Sequence, residues 1–268
     1  HADAPVAFLS QLGRDHRKYG VTAEHFASMT EALYATLRAG LADGWTPQVD
    51  DAARQALNFM AAVMKGAAEA VSGPAYWDGT VIDHQRVARD LAIVRMQLDQ
   101  PLDYFPGPYV DVQVPRGPRR WRCLSPAIPA QDDGRIEFHV RAVSGGIFGS
   151  AVVGETVRGD RWRLSSPHGA MEVDRDGGGD VLMVAGSTGL APLRAIIMDL
   201  ARFGTNPRVH LFYGARYACE LYDLRTLWQI AAQNPWLSVT PVAEFPEPVW
   251  AADYPDVETP RGLHAVSY

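Results

Sequence analysis

The residues best placed to do chemistry in this chain form the run Gly186-Ser187-Thr188-Gly189-Leu190-Ala191-Pro192. An apolar stretch, 180–185, leads into it, and a helical pattern leads out over 192–203. Glycines at such a junction let the backbone approach a diphosphate, and the helix start offers unpaired N–H groups and the positive end of a dipole. Pro192 gives up no donor that the turn needs. The same run also suits a tight strand-to-helix turn in any α/β fold, so the turn alone leaves binding and plain connection both open. Farther on, Gly214-Ala215-Arg216 closes a second apolar stretch. Arg216 would meet a nucleotide phosphate, or stand solvated in its loop. Near the start, His16 shares a helical stripe with Leu9, Leu12 and Tyr19. On spacing alone it is a ligand, or an ordinary core or surface histidine between Arg and Lys neighbours. His25 is its nearest rival, at a helix start among polar residues.

Three kinds of element must hold these groups. Residues 1–72 read as three helices, separated by Gly20 and Gly44, with Thr22 and Thr46-Pro47 as start signals. Phe26, Met29, Leu33, Leu37 and Leu41 line the second helix, and Val49, Ala53, Leu57, Met60, Met64 and Ala67 the third, as faces expected to be buried. Three helices of this size make a poor core alone and suggest part of a larger all-α domain. After Ser72-Gly73-Pro74 the pattern becomes short runs rich in Val, Ile, Arg and aromatics, such as 91–98, 109–114, 136–143 and 161–164. Turn signals at that spacing predict a small antiparallel barrel. Beyond Gly177-Gly178-Gly179 the order is strand, helix 192–203, strand 208–213, helix 221–232 and strand 237–242. That alternation predicts a parallel sheet with helical crossovers.

Composition removes several classes of function. The chain is 47% hydrophobic and 21% charged, an ordinary globular balance, with a net charge of −6 and only short mixed basic clusters. Nucleic acid is therefore not an expected partner. Two separate cysteines, Cys123 and Cys219, make no disulfide framework and suit a reducing, cytoplasmic setting. The longest apolar stretches are broken by Lys65, or by Gly186, Gly189, Pro192 and Arg194, so no membrane insertion is expected. The chain opens on His1 in a helical pattern and stops at Tyr268 after a Pro-rich loop. It reads as a fragment at both ends.

Ordered motifs then bring in a resemblance. The barrel followed by the 186–192 turn is similar to the ferredoxin–NADP reductase superfamily over roughly 76–245. Pro106-Gly107-Pro108-Tyr109 sits where that family has Pro-Gly-Gln-Tyr. Arg122-Cys123-Leu124-Ser125 resembles its Arg-x-Tyr-Ser flavin motif, and Gly145-Gly146-Ile147-Phe148-Gly149-Ser150 its FAD diphosphate segment. Phe212-Tyr213-Gly214-Ala215-Arg216 and Leu221-Tyr222-Asp223-Leu224 also read like this group. The resemblance implies FAD in the barrel and NAD(P)H in the α/β part. It implies that Arg122 neutralises FAD phosphate, that Gly145 and Gly146 offer N–H groups to the diphosphate, and that Ser125 hydrogen-bonds the flavin near its reactive nitrogen as the catalytic residue. Tyr109, Cys123, Leu124 and Ser150 complete the flavin site; Gly186, Ser187, Thr188, Gly189, Pro192 and Arg216 form the nucleotide site. Departures are Leu124 in place of the stacking tyrosine, Pro108 for glutamine and Gly149 for serine. Tyr104 and Tyr109 are the aromatic substitutes. The family's Cys-Gly-Pro segment does not occur in this sequence.

Three helices ahead of such a reductase resemble the end of a globin, the flavohaemoglobin layout. That implies haem b, with His16 as the proximal iron ligand. Phe26 stands where the family has a tyrosine, and Ala68-Glu69 lie near its glutamate partner. The expected architecture is multidomain: an all-α partial globin over 1–72, an antiparallel FAD β-barrel over 76–176 and a truncated α/β NAD(P) domain over 179–268. The implied function is electron transfer from NAD(P)H through FAD to haem, serving oxygen and nitric oxide chemistry. The alternatives are a flavin reductase with another substrate or acceptor, and a haem or oxygen sensor without turnover.

Overall fold

The computed structural model describes residues 3–116, 120–175, 177–245 and 264–265, the last pair by backbone alone. The chain divides into two compact units, His1–Tyr76 and Trp77–Tyr268.

The first unit holds α1 (Asp3–His16), α2 (Ala23–Leu41) and α3 (Pro47–Glu69). A short 3₁₀ turn, Arg17–Tyr19, ends on Gly20 at φ 73°, a left-handed stop. The Thr22 N–H donates to His25 Nδ1 at 2.9 Å, so His25 serves the start of α2. Thr46 Oγ accepts from Val49 N–H at 3.3 Å at the start of α3, with Pro47 in its first turn. α1 and α3 touch at Gly13, where a Cβ would stand 2.1 Å from the Met64 carbonyl oxygen. Leu9, Phe26 and Met64 form the core there. The stripe of α2 differs from expectation: only Phe26 is buried, while Leu33, Leu37 and Leu41 stay exposed. Helical spacing sets which residues share a face, but not whether another element covers it.

The second unit opens with an antiparallel sheet in the order β4-β3-β6-β1-β2-β5. The strands are β1 (Trp77–Ala88), β2 (Leu91–Leu98), β3 (Val110–Gln113), β4 (Trp121–Leu124), β5 (Arg135–Arg141) and β6 (Arg161–Leu164). Just past β4, a Pro126–Phe138 bridge brings one sheet edge against the other, which closes the barrel. Val81, Val94, Met96, Phe138, Trp162 and Leu164 fill its centre. After β5 the glycine segment does not stay a loop: α4 (Ile147–Glu155) begins directly behind Gly146.

The second sheet runs β10-β9-β8-β7, all parallel. β7 is Val181–Gly186, β8 Val209–Tyr217, β9 Leu237–Phe245 and β10 His264–Ala265. α5 (Leu190–Leu200) and α6 (Leu224–Gln233) are the crossovers, and their Leu190, Ile197, Leu224 and Leu227 pack with Met183, Leu211 and Tyr213. A tight 3₁₀ turn, Ser187–Gly189, shifts the start of α5 two residues ahead of the predicted Pro192. Among the described residues no helix is long and apolar enough to cross a membrane.

Candidate functional site

Gly186 ends β7 directly beside Gly214 of β8, so the 187–189 turn lies at the carboxyl end of β7, where open α/β sheets bind ligands. Gly214-Ala215-Arg216 does not form the expected turn: β8 runs on to Tyr217, and Gly214 and Ala215 pair with Val242 and Ala243 of β9. Ser187 takes φ 52°, a left-handed conformation that a non-glycine residue adopts at some cost. Its hydroxyl is buried without a hydrogen-bond partner among the described residues. A phosphate oxygen at the helix start would satisfy it, so the turn fits a nicotinamide nucleotide diphosphate. Gly189 and Pro192 complete this turn and the first turn of α5. Arg216 is exposed, with its guanidinium 5.7 Å from the Tyr217 ring and 5.8 Å from the Phe245 ring.

On the barrel side, a cavity of about 460 Å³ opens beside β4, β5 and the start of α4. It brings together Arg122, Cys123, Leu124, Gly145, Gly146 and Thr188. Thr188 comes from the nucleotide turn, so flavin-type loops and nucleotide turn border one space. Arg122 is exposed, and one N–H donates to the Trp121 carbonyl at 2.9 Å. Cys123 Sγ donates to Asp111 Oδ1 at 3.2 Å.

Other predicted members stand apart from the cavity. Ser125 is half-buried just past β4. Tyr109 is bridged to His168 through both backbone N–H groups, with the two rings 5.5 Å apart. Ser150 Oγ donates to the Gly146 carbonyl at 2.6 Å, inside α4. Gly149, by contrast, lines the cavity and lies against β5, where a Cβ would stand 2.7 Å from the Arg141 carbonyl oxygen. That approach explains why a glycine replaces the family's serine here.

Three further arginines line the cavity: Arg116 and Arg141, which no motif marks, and Arg120, which the sequence places only in a short basic cluster expected to be solvated. Arg141 Nη1 reaches Glu220 Oε1 at 3.2 Å, while its Nε and Nη2 are buried without a hydrogen-bond partner among the described residues. Two orphaned cationic N–H groups beside a glycine-led helix start fit an anionic diphosphate such as that of FAD. The available signal was strand alternation, which puts Glu137, His139 and Arg141 on one side of β5.

A buried polar cluster adjoins that side. Arg194 of α5 donates to the Ala127 carbonyl at 2.6 Å and to Glu137 Oε1 at 3.1 Å, and its Nε lies 2.7 Å from Asp223 Oδ2. Glu137 also accepts from Arg95 Nε at 2.6 Å and from His139 Nε2 at 3.0 Å. His139 Nδ1 in turn meets the Tyr222 hydroxyl at 2.7 Å. Burial alone would raise the Glu137 pKa, but the His139 hydrogen bond and the Arg194 and Arg95 charges outweigh it and hold the group at about 2. Burial pushes the Tyr222 phenol far up, with Tyr213 and Asp223 adding to the shift.

In the helical unit, His16 closes α1. Its Nδ1 lies 2.6 Å from the Leu12 carbonyl oxygen. A carbonyl only accepts, so Nδ1 carries the proton and Nε2 keeps its lone pair for a metal. The ring sits beside Tyr19 and Phe26, at 6.3 and 6.1 Å between centroids. This arrangement fits an axial haem ligand.

Three family models match the chain in succession. Residues 1–64 match the family described as Globin, 78–173 the Oxidoreductase FAD-binding domain and 183–257 the Oxidoreductase NAD-binding domain. The phenol hydroxylase P5 protein of Acinetobacter pittii (strain PHEA-2) is 30% identical over 172 residues, covering 64% of this chain and 48% of that protein. The aromatic O-demethylase reductase subunit of Amycolatopsis sp. (strain ATCC 39116 / 75iv2) is 34% identical over 194 residues, covering 68% and 58%. A flavohemoglobin from Malassezia yamatoensis, solved with bound FAD and heme, shares the fold at a TM-score of 0.73 and 14% identity, over 97% of this chain and 72% of that one. The chain spans about half the length of the curated relatives it matches.

The chain is thus built of electron-transfer oxidoreductase domains, one for FAD and one for NAD(P), of the ferredoxin reductase type. With the Globin match ahead of them, the domain order is that of a flavohaemoglobin-like fusion.

Proposed function

We propose that this chain carries the reductase module, and the proximal helices of the globin, of an enzyme that moves electrons from NAD(P)H by way of FAD to a globin haem. The observation behind this reading is that Thr188 of the nucleotide turn lies in the wall of the same cavity as Arg122, Gly145 and Gly146. A hydride donor held by that turn and a flavin held by those loops would therefore be neighbours. When bound, FAD supplies a hydride acceptor that releases electrons singly, and haem supplies an iron that takes them.

The chain's own residues bind and orient. Arg122 and Arg141 neutralise the FAD diphosphate, and the backbone at Gly145 and Gly146 closes on it. Tyr109, Cys123, Leu124 and Ser150 flank the flavin site, and the Ser125 hydroxyl is assigned to the flavin ring near its reactive nitrogen. Gly186, Ser187, Thr188, Gly189 and Pro192 take the nicotinamide nucleotide diphosphate, with Arg216 at its outer end. His16 Nε2 would hold the haem iron. The working domains are 1–72, 76–176 and 179–268, in a cytoplasmic setting, and the reaction served is dioxygenation of nitric oxide to nitrate. A second reading has a separate oxygenase as electron acceptor, because one relative is named as the reductase subunit of an aromatic O-demethylase.

Anaerobic addition of NADH or NADPH to the purified full-length protein separates these readings. Bleaching of the flavin followed by reduction of the haem supports the first. Flavin reduction that leaves haem oxidised supports the second. A haem protein that retains no flavin and oxidises no NAD(P)H rejects both, and indicates a sensor.

A further inference from the structure

Resting on the proposed function, we propose that Arg194 and Glu137, with His139 and Tyr222, are positioning residues that set the approach of the nicotinamide-binding turn to the flavin site.

Arg194 lies in α5, two positions after Pro192, on the helix whose start forms the nucleotide site. Glu137 and His139 lie on β5, the strand that leads into the Gly145-Gly146 turn. Tyr222 lies between β8 and α6. The chain of contacts runs Arg194–Glu137–His139–Tyr222, with the two barrel residues in the middle, so it crosses the seam at each end: at Arg194–Glu137 and at Tyr222–His139. Two separated crossings resist both sliding and rotation of one helix start against the other.

Proton placement makes these contacts directional. Ionised Glu137 only accepts, so His139 Nε2–H donates to it. In the neutral imidazole His139 Nδ1 is then the acceptor, and the Tyr222 hydroxyl donates to it. Arg194 adds a donation to the Ala127 carbonyl beside Glu137. His139 itself lines the cavity that holds Arg122 and Gly145.

Stability alone does not account for such a cluster. Removing two charges from water is costly, and an apolar pair of similar volume often holds a seam as well or better. What fixed donors and acceptors add is one geometry. Hydride transfer depends steeply on the spacing of its two carbons, and a shift of about 1 Å can cost about a hundredfold in rate.

The test is rapid anaerobic mixing of the full-length, FAD-loaded protein with NADH, together with amide hydrogen exchange, which needs no flavin. Arg194→Met is expected to lower the limiting rate of flavin reduction about tenfold or more. FAD content and the apparent Kd for NADH should stay within about threefold. Arg194→Lys, which keeps charge but loses the forked geometry, should fall between the two. Tyr222→Phe removes one hydroxyl and keeps the ring, so folding is not at stake; it should slow reduction measurably at unchanged Kd. Amides in the first turn of α5 should exchange faster in Arg194→Met, while those of β1 and β2 keep their protection. Parental limiting rates in both Arg194→Met and Tyr222→Phe overturn the inference, as does an effect confined to Kd. A parent protein that takes FAD but is not reduced by NADH or NADPH instead overturns the proposed function. In that case unchanged exchange in α5 of Arg194→Met overturns the positioning role as well.

Discussion

The Arg194 guanidinium and the Glu137 carboxylate meet at 3.1 Å inside the second unit, and Glu137 is only 4% exposed. This contact ties the nucleotide-binding helix to the barrel, and it makes the stability of the unit sensitive to acid. The Glu137 pKa falls from the ordinary value near 4.5 to about 2 on folding. A depressed carboxylate stabilises the fold above its unfolded pKa, and that contribution is lost as pH falls through the folded value. The contribution is on the order of 3 kcal/mol near neutrality and should disappear between about pH 5 and pH 2. Urea unfolding of the parent and Glu137→Gln should therefore differ clearly at pH 7 and much less at pH 3. An equal gap at both values would show that the charge is not responsible.

Arg122→Ala should weaken FAD retention. Arg122 lines the cavity with Gly145 and Gly146, and a charge-assisted phosphate contact is worth about 1.5–3 kcal/mol. That corresponds to a rise in Kd of roughly ten- to a hundredfold. Fluorescence titration of the flavin-stripped protein measures it, and unchanged affinity would place the diphosphate elsewhere.

His16→Ala should abolish proximal ligation while leaving flavin content intact. The Leu12 carbonyl holds the Nδ1 proton, so only Nε2 is offered to iron. Absorption and resonance Raman spectra of the full-length protein report the axial ligand. A normal imidazole-ligated spectrum in the variant would point to a different histidine.

Gly107→Ala should destabilise the second unit by about 2–4 kcal/mol. Gly107 has φ 115°, and an added Cβ would stand 2.0 Å from the Met171 carbonyl oxygen. Gly145→Ala is the informative comparison: φ is 76°, yet nothing lies within 4 Å of the added carbon. It should cost only about 1 kcal/mol in stability while still weakening FAD. Chemical denaturation of the two variants side by side checks the order. A reversed order would mean that the backbone at Gly107 relaxes freely.

Much of this protein was legible in the amino-acid order. Short runs rich in Val, Ile, Arg and aromatics marked β2, β3 and β6, and the continuous apolar run of β7 followed by its glycine turn marked the parallel sheet. Those signals are local: side-chain alternation and turn chemistry depend on near neighbours in the chain. The motifs around Arg122, Gly145 and Gly186 were visible for the same reason. Tertiary structure alone decided which distant residues meet. Arg194 and Glu137 are 57 positions apart, and His139 and Tyr222 are 83 apart. Nothing in their spacing pairs them; their meeting follows from how the barrel docks on the sheet. The helical unit shows the same limit from the other side. Leu33, Leu37 and Leu41 share a face because a helix repeats every 3.6 residues. They remain exposed because burial depends on what packs against that face, and periodicity carries no record of it.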